Sequence, residues 1–338
     1  MGSGAPTCAQ EAQPTTSDSG TVEKGAVEKL FPARAPYSPY ADLNYPTRPF
    51  FGGTHLHTAV SMDAGAFGAR IGPSDAHTGL ATADSDTFWG KTSSAEPAAG
   101  RPDHVFVKNP ATGITIMNWE TVASGYAAVW AVENTRESLF DAMQRKEVYA
   151  TTGPRMLVRF FGGFDFMPDD AENRMPAKVG YTKGVPMGGD LGSAPVGKVP
   201  TFLVAALKDP IGANLDRYQI IKGWVDGQGN LHERVYDVAW SGDREQGADG
   251  KVAPVGSSVD AVNAAYTNTI GLPELIAVWS DPDFNPSERA FYYGRVLEIP
   301  TPRWTDYDAK YYGTERPPDA PTTNQERAYT SPIWYNPN

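Results

Sequence analysis

Five histidines occur in 338 residues, and three of them, His55, His57 and His77, fall within 23 positions. His55-Leu56-His57 is followed by Ser61 and Asp63, and a second motif reads Ser74-Asp75-Ala76-His77. On a β-strand, residues i and i+2 point to the same face. His55 and His57 can therefore present two imidazoles to one point while Leu56 faces a core. Asp75 and His77 stand in the same relation. Together the two pairs offer three neutral ring nitrogens and one carboxylate, a set that suits Zn²⁺, Mn²⁺ or Fe²⁺. A His-x-His pair alone fits a plain surface as well as a site, and the second pair is what favours a metal.

The elements that must position these residues read as β-rich. Gly (34), Pro (29) and Tyr (16) are frequent, which favours turns and strands over a helical bundle. Residues 1–34 form an arm expected to be disordered. The stretch 31–50, with five prolines, reads as extended chain, and Phe50–Thr58 as a short strand carrying both histidines. Residues 59–105 look loop-like, and Gly125–Ala131 reads as another strand. One helix stands out, Thr135–Glu147, with Asn134 as cap, Glu137 in capping-box spacing, and Leu139, Phe140 and Met143 as its apolar stripe. Six β-rich runs follow: Met156–Phe161, Thr201–Leu207, Arg217–Val225, Leu231–Trp240, Leu272–Trp279 and Ala290–Ile299. The cluster Asp226–Asn230 separates two hairpin partners. This spacing predicts an antiparallel, sandwich-like domain over 155–300. The stretch 301–338, rich in Pro and aromatics, is expected to wrap a surface.

Charge narrows the partners. A formal net charge of −11 repels a polyphosphate backbone and anionic lipid, so nucleic acid and membrane are not expected. No apolar run approaches the roughly 20 residues of a membrane span. Cys8 is the lone cysteine, which rules out an intrachain disulfide. The chain as written reads as cytoplasmic, and as periplasmic if a leader has been removed. Exposed strand edges would suit a homo-oligomer.

Other residues carry weaker signals. Ser61 lacks a base and an acid placed for a triad. Gly184–Gly192 is glycine-rich but has no Lys-Ser/Thr of a phosphate loop, and reads as a strand connection. Asp281-Pro282-Asp283 and 165–170 read as solvated turns. Arg155, after Gly153-Pro154, is the candidate for holding an anionic substrate group, or equally a structural arginine paired with an acid.

The first motif, Phe50-Phe51-Gly52-Gly53-Thr54-His55-Leu56-His57-Thr58-Ala59-Val60-Ser61-Met62-Asp63, resembles the first metal motif of the PHP superfamily, named after polymerase and histidinol phosphatase. Ser74-Asp75-Ala76-His77 is similar to that superfamily's last metal motif. Ala150-Thr151-Thr152-Gly153-Pro154-Arg155 resembles the branch that contains carbaryl hydrolases and a large group of uncharacterised bacterial proteins. Further stretches similar to that group include Tyr236–Arg244, Trp279–Phe284 and Arg295–Trp304, and the likeness extends over most of residues 35–338. The resemblance implies a seven-stranded β/α barrel with two or three metals that hydrolyses small-molecule esters or phosphoesters. It makes His55 and His57 first-strand ligands, Asp75 and His77 last-strand ligands, and Asp63 a further acidic ligand. It also makes 35–154 a PHP-like region.

The chain departs from that pattern in one respect. Only seventeen residues separate His57 from Asp75, where a barrel needs roughly 200 between its first and last strands. The body of the barrel therefore reads as deleted, with the join near Ala69–Leu80. The expected architecture is an α/β remnant of a β/α barrel joined to an antiparallel sandwich-like region, β-rich α+β overall. Two functions follow: a metal-dependent hydrolase impaired by the loss, or a non-catalytic β-sandwich binding module with vestigial metal motifs.

Overall fold

Along Arg289–Glu298 buried and less buried residues alternate, as they do in a strand with one face on a core, whereas Leu157–Gly163, Thr201–Leu207 and most of Leu215–Val225 are nearly continuously buried, as in strands covered on both faces. The computed structural model describes residues 45–52, 105–120, 125–247 and 249–337. Strands β1 (Arg48–Gly52), β2 (Val105–Lys108), β3 (Thr115–Met117) and β4 (Tyr126–Ala131) precede helix α1 (Arg136–Gln144). β5 (Val148–Thr151) and β6 (Leu157–Gly163) lead to helix α2 (Pro176–Lys183), β7 (Gly184–Pro186) and β8 (Asp190–Leu191). The long strands are β9 (Thr201–Leu207), β10 (Leu215–Val225), β11 (Leu231–Trp240), β12 (Glu274–Ser280) and β13 (Arg289–Glu298). Last come β14 (Thr301–Pro302), helix α3 (Trp304–Tyr312), β15 (Thr323–Asn324), β16 (Arg327–Thr330) and β17 (Ile333–Tyr335).

Nine strands form one sheet in the order β1-β4-β5-β16-β13-β10-β11, with β17 continuing along the edge of β13 and β8 beside β17. A second sheet runs β12-β9-β6-β7. The fold is thus β-rich α+β with antiparallel sheets, as expected. No pair of barrel strands is present among the described residues: β1 pairs with β4 antiparallel, and the single parallel contact is β8 with β17.

The sheets pack face to face. Val158, Phe160, Phe202 and Val204 of the smaller sheet meet Tyr218, Ile220, Tyr292, Val296 and Ile333 of the larger in one buried cluster. Phe202 sits at its centre, with ring centroids 5.3 Å from Phe160 and 4.6 Å from Tyr292. Burial of such side chains contributes about 1.5–3 kcal/mol each and is the main source of stability. On the far side of the smaller sheet, α2 covers Phe161 and Leu203. Gly180 makes that approach possible, because a Cβ there would lie 2.4 Å from the Phe161 ring. α1 covers one end of the larger sheet's outer face, over Phe50, Val129 and Val148. No helix among the described residues is long and apolar enough to cross a membrane.

Several expectations need correction. The helix is shorter than the predicted 135–147, and its cap is Thr135, whose Oγ1 accepts from Ser138 N at 3.3 Å. Lys146, with a left-handed φ of 58°, ends it: Lys146 N donates to Met143 O and Glu147 N to Ala142 O, the pair of bonds that closes a helix C-terminus. The buried stripe runs through Leu139 and Ala142, while Phe140 (56% exposed) and Met143 (41%) face away. Sequence periodicity found a helix but could not say which side met the sheet. Asp281 is not a solvated turn residue. Its carboxylate is buried, 2.7 Å from Lys222 Nζ and 2.7 Å from the Tyr292 hydroxyl, at one end of the space between the sheets. The final stretch does more than wrap a surface. β16 fills a place between β5 and β13, and Ala328, Ile333 and Tyr335 are core residues. Strands from all three expected regions after residue 35 therefore share one sheet.

Candidate functional site

His55, His57, Asp63, Asp75 and His77, with Ser61, lie outside the described residues. Their point of departure is described: β1 ends at Gly52, three residues before His55. Register then locates Gly52 on the larger sheet. It lies opposite Ala127, which lies opposite Ala150, then Tyr329, Arg295 and Gln219 in turn. Opposed residues in an antiparallel ladder share a face. These six residues form one transverse row. The neighbouring row, Thr151, Ala328, Val296 and Tyr218, is buried in the core. The first row therefore lies on the outer face, beside the Phe50–Val129–Val148 row that α1 covers.

Arg155 lies in the β5–β6 connection, at the end of the sheet where β4 begins. Thr152 ties the turn to β16: its N donates to Arg327 O at 3.0 Å, and its hydroxyl accepts from Arg327 N at 2.9 Å and donates to Glu326. Gly125 (φ +74°) lets β4 begin against this turn, since a Cβ there would sit 2.0 Å from Thr151 O. Arg155 N donates to Asp209 Oδ2 at 2.6 Å, and its guanidinium lies 5.4 Å from the centre of the Tyr126 ring. The side chain is exposed and makes no ion pair among the described residues. Among the described residues its backbone is anchored by Asp209 and its guanidinium meets no acidic side chain.

Beneath the turn lies an acidic group that no sequence motif marks: Glu298 with Asp209 and Glu326. Glu298 is 1% exposed, and burial, then the charges of Glu326 and Asp209, push its carboxyl up to about 9. At neutral pH it is a carboxylic acid. Asp209 remains well partnered, accepting from Arg155 N and, at 3.0 Å, from Ile211 N. Lys208 Nζ donates to the carbonyls of Asp209 and Gly212, both at 2.8 Å, and sets a positive charge nearby. No spacing rule could have linked Asp209, Glu298 and Glu326, which are brought together by the β9–β10 connection, the end of β13 and the link between β15 and β16. Among the described residues no group of three or more His, Cys, Asp or Glu is arranged to hold a metal. His232 is occupied elsewhere: it hydrogen-bonds Asp226 at 2.8 Å and stacks on Trp224. Gly184–Gly192 carries β7 and β8, in keeping with a strand connection.

The chain matches one family model, described as protein of unknown function (DUF3604), over residues 44–76 and 69–337. The two matched stretches overlap at 69–76. No curated protein and no solved structure matches the chain.

Proposed function

The chain belongs to the DUF3604 family, and we propose that it is a divalent-metal hydrolase of small-molecule ester or phosphoester substrates, similar to enzymes of the PHP superfamily. In this reading His55, His57, Asp75 and His77 hold the metal, with Asp63 as a further ligand. Three imidazoles and two carboxylates fit Zn²⁺, Mn²⁺ or Fe²⁺ by donor chemistry. Such an ion, when bound, lowers the pKa of a coordinated water towards neutrality and polarises the scissile oxygen. Arg155 takes an anionic group of the substrate through its outward guanidinium.

The observation that supports this reading is the placement of Gly52. It pairs with Ala127, next to the Tyr126 on which Arg155 rests. In this reading the three residues of chain that follow Gly52, which reach at most about 10 Å, bring His55 to the end of the sheet where Arg155 stands. Metal content and hydrolysis of aryl phosphates and aryl esters in Mn²⁺ or Zn²⁺ test it. We expect stoichiometric metal in the purified protein, its loss in His57→Ala, and a rise in KM for phosphoesters in Arg155→Gln. A wild-type protein that binds no metal would remove the proposal.

A second reading has its own support. The seventeen residues between His57 and Asp75, and a family match in two pieces that meet at 69–76, favour a chain that lacks an internal part of its family's body. The metal motifs would then be vestiges on a non-catalytic β-sandwich binding module. Metal binding without turnover of any aryl ester or phosphoester would favour this reading, and robust turnover would eliminate it.

A further inference from the structure

A cavity of about 310 Å³ opens on the outer face of the larger sheet, over β10, β13 and β16. Its floor follows from register. Gln219 and Arg295 lie side by side in one row, and Arg217, Leu297 and Arg327 in the next row on the same face. Diagonal neighbours on such a face stand roughly 7–8 Å apart, so long side chains from both rows converge. Pro254, Val255 and Gly256 wall one side.

The charges in this cavity are unequally matched. Arg217 is consumed: it contacts Asp216 at 3.1 Å and Asp237 at 3.0 Å, and donates to the carbonyls of Val252 and Ala253. Asp216 is held in turn by Arg244 at 2.8 Å and by Gln325 at 3.4 Å. Gln219 donates to Asp237 at 2.6 Å, which turns its carbonyl oxygen to Arg295 Nε at 2.7 Å. Arg327 Nε donates to Gln325 O at 3.1 Å. Arg295 and Arg327 are thereby oriented through Nε, yet neither forms an ion pair, and their terminal nitrogens make no hydrogen bond among the described residues. Two half-buried guanidiniums on one cavity floor repel each other, and an anion between them would reverse the sign of that interaction. Forked N–H groups match the oxygens of phosphate bidentately.

We propose that the Arg295/Arg327 cavity is a binding site for a small phosphate-bearing ligand. Its volume lies in the range of small-molecule sites. Arg217 and Gln219 act as positioning residues that hold the floor flat and aim Arg295. The site does not depend on the metal reading, because none of its residues is a proposed ligand. In a chain of net charge −11, such a cavity also gives an anion one place to go where the wider surface repels it.

Titration with inorganic phosphate at constant ionic strength, followed by calorimetry, tests this. Wild type should bind saturably at one site. Arg327→Gln should weaken binding at least tenfold, and Arg295→Gln/Arg327→Gln should abolish it, with unchanged circular dichroism and melting profile. Arg327→Gln leaves the Arg295–Gln219 bond in place, and so remains informative if the double variant fails to fold. Absence of saturable binding would overturn the proposal, as would equal binding by wild type and the arginine variants. Binding lost in His57→Ala but kept in Arg327→Gln would place the phosphate at the proposed metal centre and also overturn it.

Discussion

Glu298 shows how far one residue's chemistry can move from its sequence value. Its carboxyl has an ordinary value of 4.5, and burial beside Glu326 and Asp209 takes it to about 9. The folded chain therefore keeps a proton that the unfolded chain releases near pH 4.5. Between these values the native state binds more protons, so stability falls as pH rises. The full effect is present below pH 4.5 and lost by about pH 9, with a limiting slope of about 1.4 kcal/mol per pH unit. Glu298→Gln should flatten this part of the profile, making the variant relatively more stable at pH 8 than at pH 5 when both are compared with wild type by urea denaturation. Equal slopes would show that Glu298 does not hold its proton. Arg155 was legible in the sequence as a candidate because Gly153-Pro154 marks a fixed turn. Glu298 was not, because the groups that shift it lie 89 residues before it (Asp209) and 28 after it (Glu326).

At the scale of elements, strand identity was largely legible and burial chemistry was not. β9 and β11 run over the residues predicted, and the Asp226–Asn230 turn joins β10 to β11 through Asp226 N to Asn230 O and Gly229 N to Asp226 O. Local alternation and turn residues suffice for such elements. The pair Lys222–Asp281 could not be read in this way. Lys222 occupies an inward position on β10, and Asp281 follows β12 on the opposite sheet. Their contact exists only because the sheets stack. Lys222→Met would leave the Asp281 carboxylate buried with only the Tyr292 hydroxyl and Asp283 N as hydrogen-bond donors. We expect a loss of about 3–5 kcal/mol in urea denaturation. Lys222→Met/Asp281→Leu should recover much of it, since the uncompensated charge is then gone. A single variant as stable as wild type would show that the pair is solvated.

For the whole molecule, the larger sheet is completed from both ends of the described chain. β1 forms one edge, and the C-terminal strands β16 and β17 sit against β13 in the interior. Truncation after Gln325 should therefore prevent folding rather than trim a surface layer. It would strip a partner from β5 and β13 and remove Ile333 and Tyr335 from the core. Circular dichroism and limited proteolysis check this, and a folded, protease-resistant truncation would contradict the topology. Sequence alone determined what depends on near neighbours: strand periods, one helix, the hairpin turn, and two pairs of candidate ligands at i, i+2 spacing. It also determined the acidic balance that sets the outer surface. Tertiary structure alone decided which face of each strand is inward, that residues 327–335 belong to the middle of a sheet, and that Arg155 rests on Tyr126 of β4, the strand that pairs with β1. The reason is physical: period-two patterns fix what a strand can bury, but pairing register and sheet stacking come from contacts between residues far apart in the chain. Register likewise sets Gly52, three residues before His55 in sequence, at the end of an edge strand of the nine-stranded sheet.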